Sequence, residues 1–116
     1  MHEYSIVQAL LERVDDEARR RGAARVHRLE VQLGELSGVD GGLLATAFET
    51  CRDGTVCAGA QLFITPVAAL WRCPRCGRTP EPGKFLRCTA CDLPAQLAAG
   101  DEILLARIEM EVDAHV

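Results

Sequence analysis

Hydrophobic and polar positions recur along this chain in blocks that predict two helices and about three strands. In the first block, residues 5–20, apolar side chains repeat at helical spacing, and Ser5 and Gln8 have the spacing of a capping box. The apolar members of this block are Val7, Leu10, Leu11, Val14 and Ala18. Gly22 predicts the end of the helix. The block therefore indicates an amphipathic helix whose apolar stripe belongs to the core.

A strand and a second helix are predicted next. Leu29, Val31 and Leu33 alternate with polar neighbours, which is the pattern of a half-buried strand. Asp40 occupies the N-cap position of the following helix. The apolar face of that helix is marked by Leu43, Leu44, Ala47, Phe48 and Cys51. We interpret Cys51 as a small buried side chain of this face, and Cys57, in a glycine-rich turn, as an incidental loop thiol.

Two further strands enclose a segment of different composition. Apolar positions from Leu62 to Trp71 predict a strand, and Pro66 places it at a sheet edge or a bend. Residues 104–113 show the clearest strand alternation in the chain, so we expect them to return to the sheet formed earlier. Residues 72–94 are rich in Cys, Pro, Gly and Arg but poor in aliphatic side chains. A metal must therefore substitute for a hydrophobic core there.

Two C-x2-C pairs with 11 residues between them lie in this segment: Cys73, Cys76, Cys88 and Cys91. Each pair presents two thiolates from one tight turn, and two facing pairs complete a tetrahedral cage for zinc. A closed four-sulfur shell leaves the ion no open position, which indicates a structural role. The alternative is two unrelated redox pairs or chance cysteines.

These elements together predict an α+β fold. A small sheet of about three strands with two helices forms a body from residues 1–70 and 95–116. A zinc-ribbon-like unit with four Cys ligands is inserted at residues 71–94.

Composition excludes several classes of protein. A chain of 116 residues with 48% hydrophobic positions has enough material for one ordinary domain. The net charge of −4 argues against nucleic acid as a partner, because phosphate binding needs a concentrated basic face. No apolar stretch is long enough to span a membrane, and no secretory signal is visible at the N-terminus. Four of the six cysteines lie in metal-type pairs, which favours a cytoplasmic location.

The N-terminus is a candidate for a second metal site. The α-amine of Met1, the backbone nitrogen and imidazole of His2, and the backbone nitrogen of Glu3 can all reach one ion. A planar set of nitrogen donors favours Ni(II) or Cu(II), whereas zinc prefers a tetrahedron. Glu3 adds a carboxylate, and Asp40 can contribute another if the loop before the second helix packs beside the N-terminus. The alternatives are a solvated terminal histidine and an Asp40 that only caps its helix.

Several motifs along the whole chain resemble one family, the HypA/HybF hydrogenase nickel-incorporation proteins. The start Met1-His2-Glu3-Tyr4-Ser5 is similar to that family's M-H-E opening, and the two C-x2-C pairs are similar to its zinc unit. Further resemblance lies in Val31–Asp40, in Phe48–Glu49, in Gly59–Leu62 and in Gly100–Ile103 before the last strand. The second zinc knuckle departs from the usual pattern, because Asp92 stands where the first has Gly77. Its turn therefore needs an aspartate in a left-handed conformation.

This resemblance implies a nickel metallochaperone rather than an enzyme. Such a protein delivers Ni(II) to the large subunit of [NiFe]-hydrogenase, works with the GTPase HypB and in some organisms also serves urease. By resemblance, His2 is the nickel ligand, Met1 and Glu3 are supporting donors, and Asp40 lies near the site. The four paired cysteines hold structural zinc.

Two other classes of protein remain as alternatives from the residues alone. A zinc-ribbon module that binds a protein or a nucleic acid would explain the basic residues around the knuckles: Arg72, Arg75, Arg78, Lys84 and Arg87. A thiol–disulfide or metal-dependent enzyme could use C-x-x-C pairs. Two symmetric pairs without a neighbouring catalytic pattern favour metal ligation instead.

Overall fold

A computed structural model describes residues 2–81, 83 and 85–112, and its elements confirm the predicted α+β class. In chain order the elements are α1 (His2–Arg21), β1 (Ala23–Gly34), α2 (Gly41–Cys51), β2 (Gln61–Val67), β3 (Leu70–Arg72), β4 (Gln96–Ala99) and β5 (Ile103–Val112). None of the helices in this described part of the chain is long and apolar enough to cross a membrane.

The first helix starts earlier than its sequence pattern predicts. It begins at His2, so Ser5 lies inside the helix and the predicted capping box at Ser5 is wrong. Nothing between residues 2 and 4 breaks a helix, and Glu3 in the first turn complements the positive end of the helix dipole. Three arginines, Arg19–Arg21, complement the negative end. This early start places His2 and Glu3 in the first turn of α1.

Three strands form the main sheet in the order β2-β1-β5, with β1 at the centre. The β1 strand pairs in parallel with β2 and antiparallel with β5, so the last strand returns to the sheet as predicted. Pro66 lies in the edge strand β2, which confirms its predicted place at an edge. Both helices cover one face of the sheet and share with it a core that includes Val14, Leu29 and Phe48. The opposite face carries ion pairs between β1 and β5.

The central strand is longer than its alternation indicates. Alternation alone predicts only the part around Leu29–Leu33, whereas β1 begins at Ala23. The pairing with β5 shifts register between Ala23 and Arg25 and again between Val26 and Arg28. These irregularities interrupt the two-residue period, because an extra residue in one strand turns the following side chains to the other face.

The interpretation of Cys57 as an incidental loop thiol is wrong. Its side chain is fully buried in the core, because the turn after α2 folds back against β1, where the Val26 N–H donates to the Val56 carbonyl at 2.9 Å. Burial raises the pKa of the Cys57 thiol to about 11, and the nearby negative charge of Asp15 adds to the rise. Cys51 is partly buried against the same core, in agreement with its predicted role.

The strands β3 and β4 form a second, two-stranded antiparallel sheet, separate from the main sheet. The strand predicted from Leu62 to Trp71 is thus divided, since β2 ends at Val67 and β3 belongs to another sheet. The four-residue strand β4 was not predicted, because Gln96–Ala99 is too short to establish a period. The cysteine segment lies between β3 and β4, and these strands carry it.

Close backbone contacts connect the two sheets. The Leu36 N–H donates to the Gly100 carbonyl at 2.7 Å, and the Ala69 N–H donates to Glu35 Oε2 at 2.8 Å. Gly34 and Gly100 allow this approach: a Cβ on Gly34 would overlap the carbonyl of Gly100, and one on Gly100 would lie 2.6 Å from the Ala69 Cα. We call this contact region, formed by residues 34–36, 69 and 100, the junction.

Candidate metal centres

The four paired cysteines converge on one point. Their sulfur atoms all lie within 4.8 Å of one another, and the Cys76 and Cys88 sulfurs are 3.6 Å apart. Four sulfurs at about 2.3 Å from a tetrahedral zinc ion would be separated by about 3.8 Å. The spacing and the all-thiolate donor set therefore fit zinc, which Cys73, Cys76, Cys88 and Cys91 would hold. No fifth ligand is needed, and the role that such an ion supplies is structural.

Both knuckles repeat the same backbone hydrogen bonds. In the first, the Gly77 N–H donates to the Cys73 carbonyl at 2.9 Å. In the second, the Asp92 N–H donates to the Cys88 carbonyl, also at 2.9 Å. A further matching pair runs from Cys73 N–H to the Arg78 carbonyl and from Cys88 N–H to the Leu93 carbonyl. Backbone hydrogen bonds thus hold each of the two turns in the same conformation. The two turns present their thiol pairs to the same point.

Asp92 adopts the left-handed conformation that its position in the second knuckle requires. Its φ is +52°, compared with +75° at the equivalent Gly77. The Arg87 side chain stabilises this turn, since its Nε donates to Asp92 Oδ1 and its other nitrogen donates to the Asp92 carbonyl, both at 2.9 Å. Arg87 is therefore one of the basic residues around the knuckles with a structural role, which the sequence did not reveal.

Asp92→Ala is expected to weaken the second knuckle, whereas Asp92→Gly should be tolerated. Alanine keeps the left-handed penalty of about 1 kcal/mol and loses the Arg87 ion pair, while glycine removes the penalty. Competition with a zinc chelator measures the difference, and Asp92→Ala should release zinc at the lowest chelator concentration. Equal retention by all three proteins would contradict a conformational role for Asp92.

The cage thiols differ in acidity. The backbone N–H of Cys76, assisted by that of Arg75, lowers the pKa of the Cys73 thiol to about 6. Burial raises the pKa of Cys91 to about 12, and hydrogen bonding with the Cys76 and Cys73 thiols adds to this rise. Zinc binding requires all four as thiolates and so releases protons.

At the N-terminal end of α1, the helix meets the loop before α2. The Asp40 backbone N–H lies 3.5 Å from Glu3 Oε2, across 37 positions of sequence. Asp40 also caps α2, because the Leu43 N–H donates to Asp40 Oδ1 at 2.9 Å. The predicted helix cap is confirmed, and the loop lies beside the N-terminal turn. His2 is exposed, and Met1 lies outside the described residues.

The side chains at this end do not form a ready-made cage. Among residues 2–81, 83 and 85–112, the one group of three or more His, Cys, Asp or Glu ligand atoms within 4.8 Å of one another is the cysteine cage. His2, Glu3 and Asp40 therefore do not converge as side-chain ligands. A metal at this end must draw donors from the backbone as well.

Comparison with known proteins decides the family. A family model described as hydrogenase/urease nickel incorporation, metallochaperone, hypA matches residues 1–110. The chain belongs to the HypA family.

Relatives and solved structures of the HypA family match nearly the whole chain. A hydrogenase maturation factor HypA of Aquifex aeolicus is 38% identical over 97% of this chain and all of its own length. One of Deinococcus radiodurans is 42% identical over 90% of this chain and 89% of its own. The solution structure of the nickel metallochaperone HypA from Helicobacter pylori is 30% identical, covers 96% of this chain and 98% of its own, and superposes with a TM-score of 0.74. Another HypA solution structure is 31% identical, covers 97% and 98%, and gives 0.80.

Membership in the HypA family confirms the function that the motifs predict. The chain is a nickel metallochaperone of hydrogenase maturation and not an enzyme. Its four-cysteine cage fits the structural zinc site. Which residues bind nickel remains a prediction from the sequence, as does the division into a body and a zinc unit.

Sequence reasoning missed the residues that hold the two regions of this HypA protein together. In the sequence, Glu35 is recognisable only as part of a segment that resembles the family, although its carboxylate accepts the Ala69 N–H at the junction. At one end, the segment Gly34–Asp40 thus contacts residues 69 and 100, which adjoin the strands β3 and β4, the stem of the zinc unit. At the other end it contacts Glu3. The glycine and acidic residues of this segment were the signal in the sequence that could have indicated these contacts. Only the fold shows which residue each of them contacts.

Proposed function

We propose that this chain binds Ni(II) at the start of α1 and releases it for insertion into the large subunit of [NiFe]-hydrogenase. His2 contributes its imidazole and backbone nitrogen, and Glu3 contributes its backbone nitrogen. The α-amine of Met1 completes a planar nitrogen set, which Ni(II) favours. The carboxylates of Glu3 and Asp40 are the neighbouring oxygen donors.

The observation that carries this proposal is the start of α1 at His2. The first four N–H groups of a helix have no acceptor within the helix. The backbone nitrogens of His2 and Glu3 can therefore release their protons to solvent and bind nickel without breaking a helical hydrogen bond. A helix that began at Ser5, as the sequence pattern predicts, would not have positioned these nitrogens in a fixed turn.

The same location favours release. The positive end of the α1 dipole opposes a bound cation, and the exposed His2 leaves the ion open to a competing ligand. Deprotonated backbone nitrogens and the carboxylates of Glu3 and Asp40 offset that repulsion. A partner can then capture nickel by ligand exchange, whereas the closed cysteine cage would retain its ion.

Several finer assignments belong to this proposal. The GTPase HypB and the hydrogenase large subunit are the expected partners, and urease maturation is a second use that accords with the description of the family. Commitment of four reduced cysteines to a metal favours a cytoplasmic location.

The zinc unit, residues 71–94, sets the orientation of the two parts of the molecule relative to each other. Contact with a partner protein changes that orientation.

Calorimetric titration of Ni(II) into untagged protein with its native Met1 tests the site. Wild type is expected to bind about one nickel ion per chain. His2→Ala should abolish this binding because it removes the imidazole. An added N-terminal residue should also abolish it, because the α-amine moves away. Binding by both variants as tight as that of wild type would overturn the terminal site.

Two substitutions separate the role of Asp40 as a helix cap from a role in nickel binding. Asparagine caps a helix as well as aspartate, so Asp40→Asn should retain stability and lose only the carboxylate, whereas Asp40→Ala should also lose about 1 kcal/mol. If Asp40 supports nickel binding, both variants weaken it. If only Asp40→Ala weakens it, the residue acts through the helix cap.

The proposed partnership with HypB has its own test. Nickel transfer from the loaded protein to purified HypB is compared with the spontaneous loss of nickel to a chelator.

A further inference from the structure

The zinc unit displays two neighbouring apolar side chains, Phe85 and Leu86, which we call the apolar pair. Phe85 is 98% exposed and Leu86 is 44% exposed. Single exposed apolar side chains are common on protein surfaces and need no explanation. A pair that includes an almost fully exposed aromatic ring is different, because aromatic side chains are enriched where proteins bind one another. Neither residue belongs to the core of the body, so the pair is a candidate contact for another molecule.

The backbone of the apolar pair adopts a conformation that its residues do not favour. Phe85 and Leu86 both have positive φ, at +49° and +55°. In the part of the chain that the structure describes, the one other non-glycine residue with positive φ is Asp92, whose conformation the second knuckle requires. A turn with two successive positive φ values is normally built from asparagine, aspartate and glycine, because larger side chains are strained there. Backbone strain of this kind is concentrated at functional sites.

Backbone contacts hold the apolar pair in this conformation. The Leu86 carbonyl accepts the Ala95 N–H at 2.7 Å, and Arg87 pairs with Pro94 in an isolated β-bridge. The next residue, Cys88, belongs to the zinc cage. These contacts use backbone groups and the metal site, so the side chains of the pair are not needed to hold their own turn. They are therefore available to a partner.

The zinc unit differs in charge from the rest of the chain. Residues 71–94 contain five basic and two acidic residues, whereas the remaining chain contains eight basic and fifteen acidic residues. A loaded four-thiolate cage carries two negative charges, which leaves the unit with a small net positive charge. Arg72, Arg75 and Arg78 are exposed, and none of the three forms an ion pair with another described residue. The surface of the unit therefore favours an acidic partner.

An acidic protein surface matches this combination, whereas a nucleic acid or a membrane does not. Nucleic acids and anionic membranes present negative charge over long distances, and they would repel a body in which acidic residues outnumber basic ones by fifteen to eight. A protein can instead place a few acidic side chains around one apolar pocket. An acceptor of Ni(II) must also attract a divalent cation, so acidic side chains near its site of entry are expected.

We propose that the apolar pair is the anchor by which this chain docks on the nickel-free large subunit of [NiFe]-hydrogenase. Phe85 and Leu86 enter an apolar pocket of that subunit, and the exposed arginines of the zinc unit contact acidic side chains around it. This inference rests on the proposed function, in which the large subunit receives the nickel. The fixed turn lowers the entropy cost of binding, because the pair is already held in one backbone conformation. Docking through the pair leaves the proposed nickel ligands at the start of α1 unoccupied.

A double substitution tests the anchor without weakening the fold. Phe85→Asn combined with Leu86→Gly introduces the residue types that positive φ favours and removes both apolar side chains. The variant should retain zinc against a chelator at least as well as wild type. In calorimetry with purified nickel-free large subunit, it should bind at least about tenfold more weakly than wild type. If the pair had a structural role instead, the variant would lose zinc more easily.

A charge reversal and a matched control complete the test. Arg78→Glu should weaken binding to the large subunit about fivefold, and this effect should shrink as the salt concentration is raised. Leu104→Thr is the control, because it removes an exposed apolar side chain from β5 of the body. It should bind the large subunit as wild type does. All variants should bind nickel as wild type does, since the start of α1 is unchanged.

The contrary outcomes separate this inference from the proposed function. Equal binding of the large subunit by wild type and the double variant would overturn the anchor alone. Wild type without affinity for the large subunit would overturn the proposed delivery to that subunit together with the anchor. Binding that depends on the pair but is directed to HypB, to single-stranded RNA or to anionic phospholipid vesicles, with none to the large subunit, would refute the assigned partner.

Discussion

Cys88→Ser is expected to abolish zinc binding and to unfold the segment between β3 and β4. From Trp71 to Ala95 only two of the described residues are buried, and both are cage cysteines, Cys73 and Cys88. Phe85 is 98% exposed and contributes nothing to a core. Structural zinc contributes about 10–16 kcal/mol in isolated zinc-finger peptides, which no apolar contact here can replace. Trypsin should then cleave the variant rapidly after arginines of this segment.

The body should survive the same substitution. Its core contains side chains of the two helices, the main sheet and the turn after α2, and none of the described residues of the zinc unit. Helical circular dichroism should therefore remain, while the zinc content falls to zero. Cys51→Ser is the matched control, because Cys51 lies in α2 outside the cage and its loss should leave zinc binding unchanged. If Cys88→Ser kept its zinc and its resistance to trypsin, the four-thiolate cage would not be the structural site.

Gly34→Ala is expected to have the second largest effect. The added Cβ would overlap the Gly100 carbonyl, and both partners are backbone, so no flexible side chain can move aside. Insertion of a methyl group into a packed site costs about 1–3 kcal/mol, and the rigidity of this contact places the cost at or above the upper value. Either the global stability falls by that amount, or the junction opens and releases the stem of the zinc unit.

Two measurements separate these outcomes. Denaturant unfolding gives the loss of global stability, and amide hydrogen exchange at Leu36, which donates to Gly100, reports opening of the junction. Gly59→Ala is the control, because a Cβ at Gly59 meets nothing within 4 Å and its φ is ordinary. Unchanged stability and unchanged exchange in Gly34→Ala would show that the backbone there is adaptable, contrary to the geometry.

Local chemistry was enough to predict those elements whose signals lie within a few residues. The cap of α2 follows from Asp40 directly before the apolar pattern of the helix. The strand β5 follows from its polar–apolar alternation, although an extra residue in the strand brings Leu105 rather than Leu104 to the core. The cage follows from cysteine spacing, because two tight turns leave few other arrangements. In each case the determining interaction either lies within a short stretch of sequence or is the binding of one metal ion by closely spaced cysteines.

The remaining features depend on tertiary contacts that no local pattern contains. Burial of Cys57 depends on how a turn folds against β1, and the strand β4 exists only because β3 lies beside it. The approach of Asp40 to Glu3 could be stated as a condition but not decided, since 37 positions separate them. The early start of α1 was obscured by a capping motif at Ser5 that the fold does not use.

The position of the cage between β2 and β5 also affects the order in which the chain folds. The central strand β1 pairs with β2 soon after synthesis permits, but its other partner, β5, follows only after residues 68–102. The entropy of closing such a loop grows with the logarithm of its length. When zinc joins Cys73 to Cys91, it removes about half of that length and lowers the closure cost by about 0.6 kcal/mol. Zinc available during synthesis should therefore speed the final docking of β5, and its absence should prolong an intermediate in which one side of β1 is still unpaired.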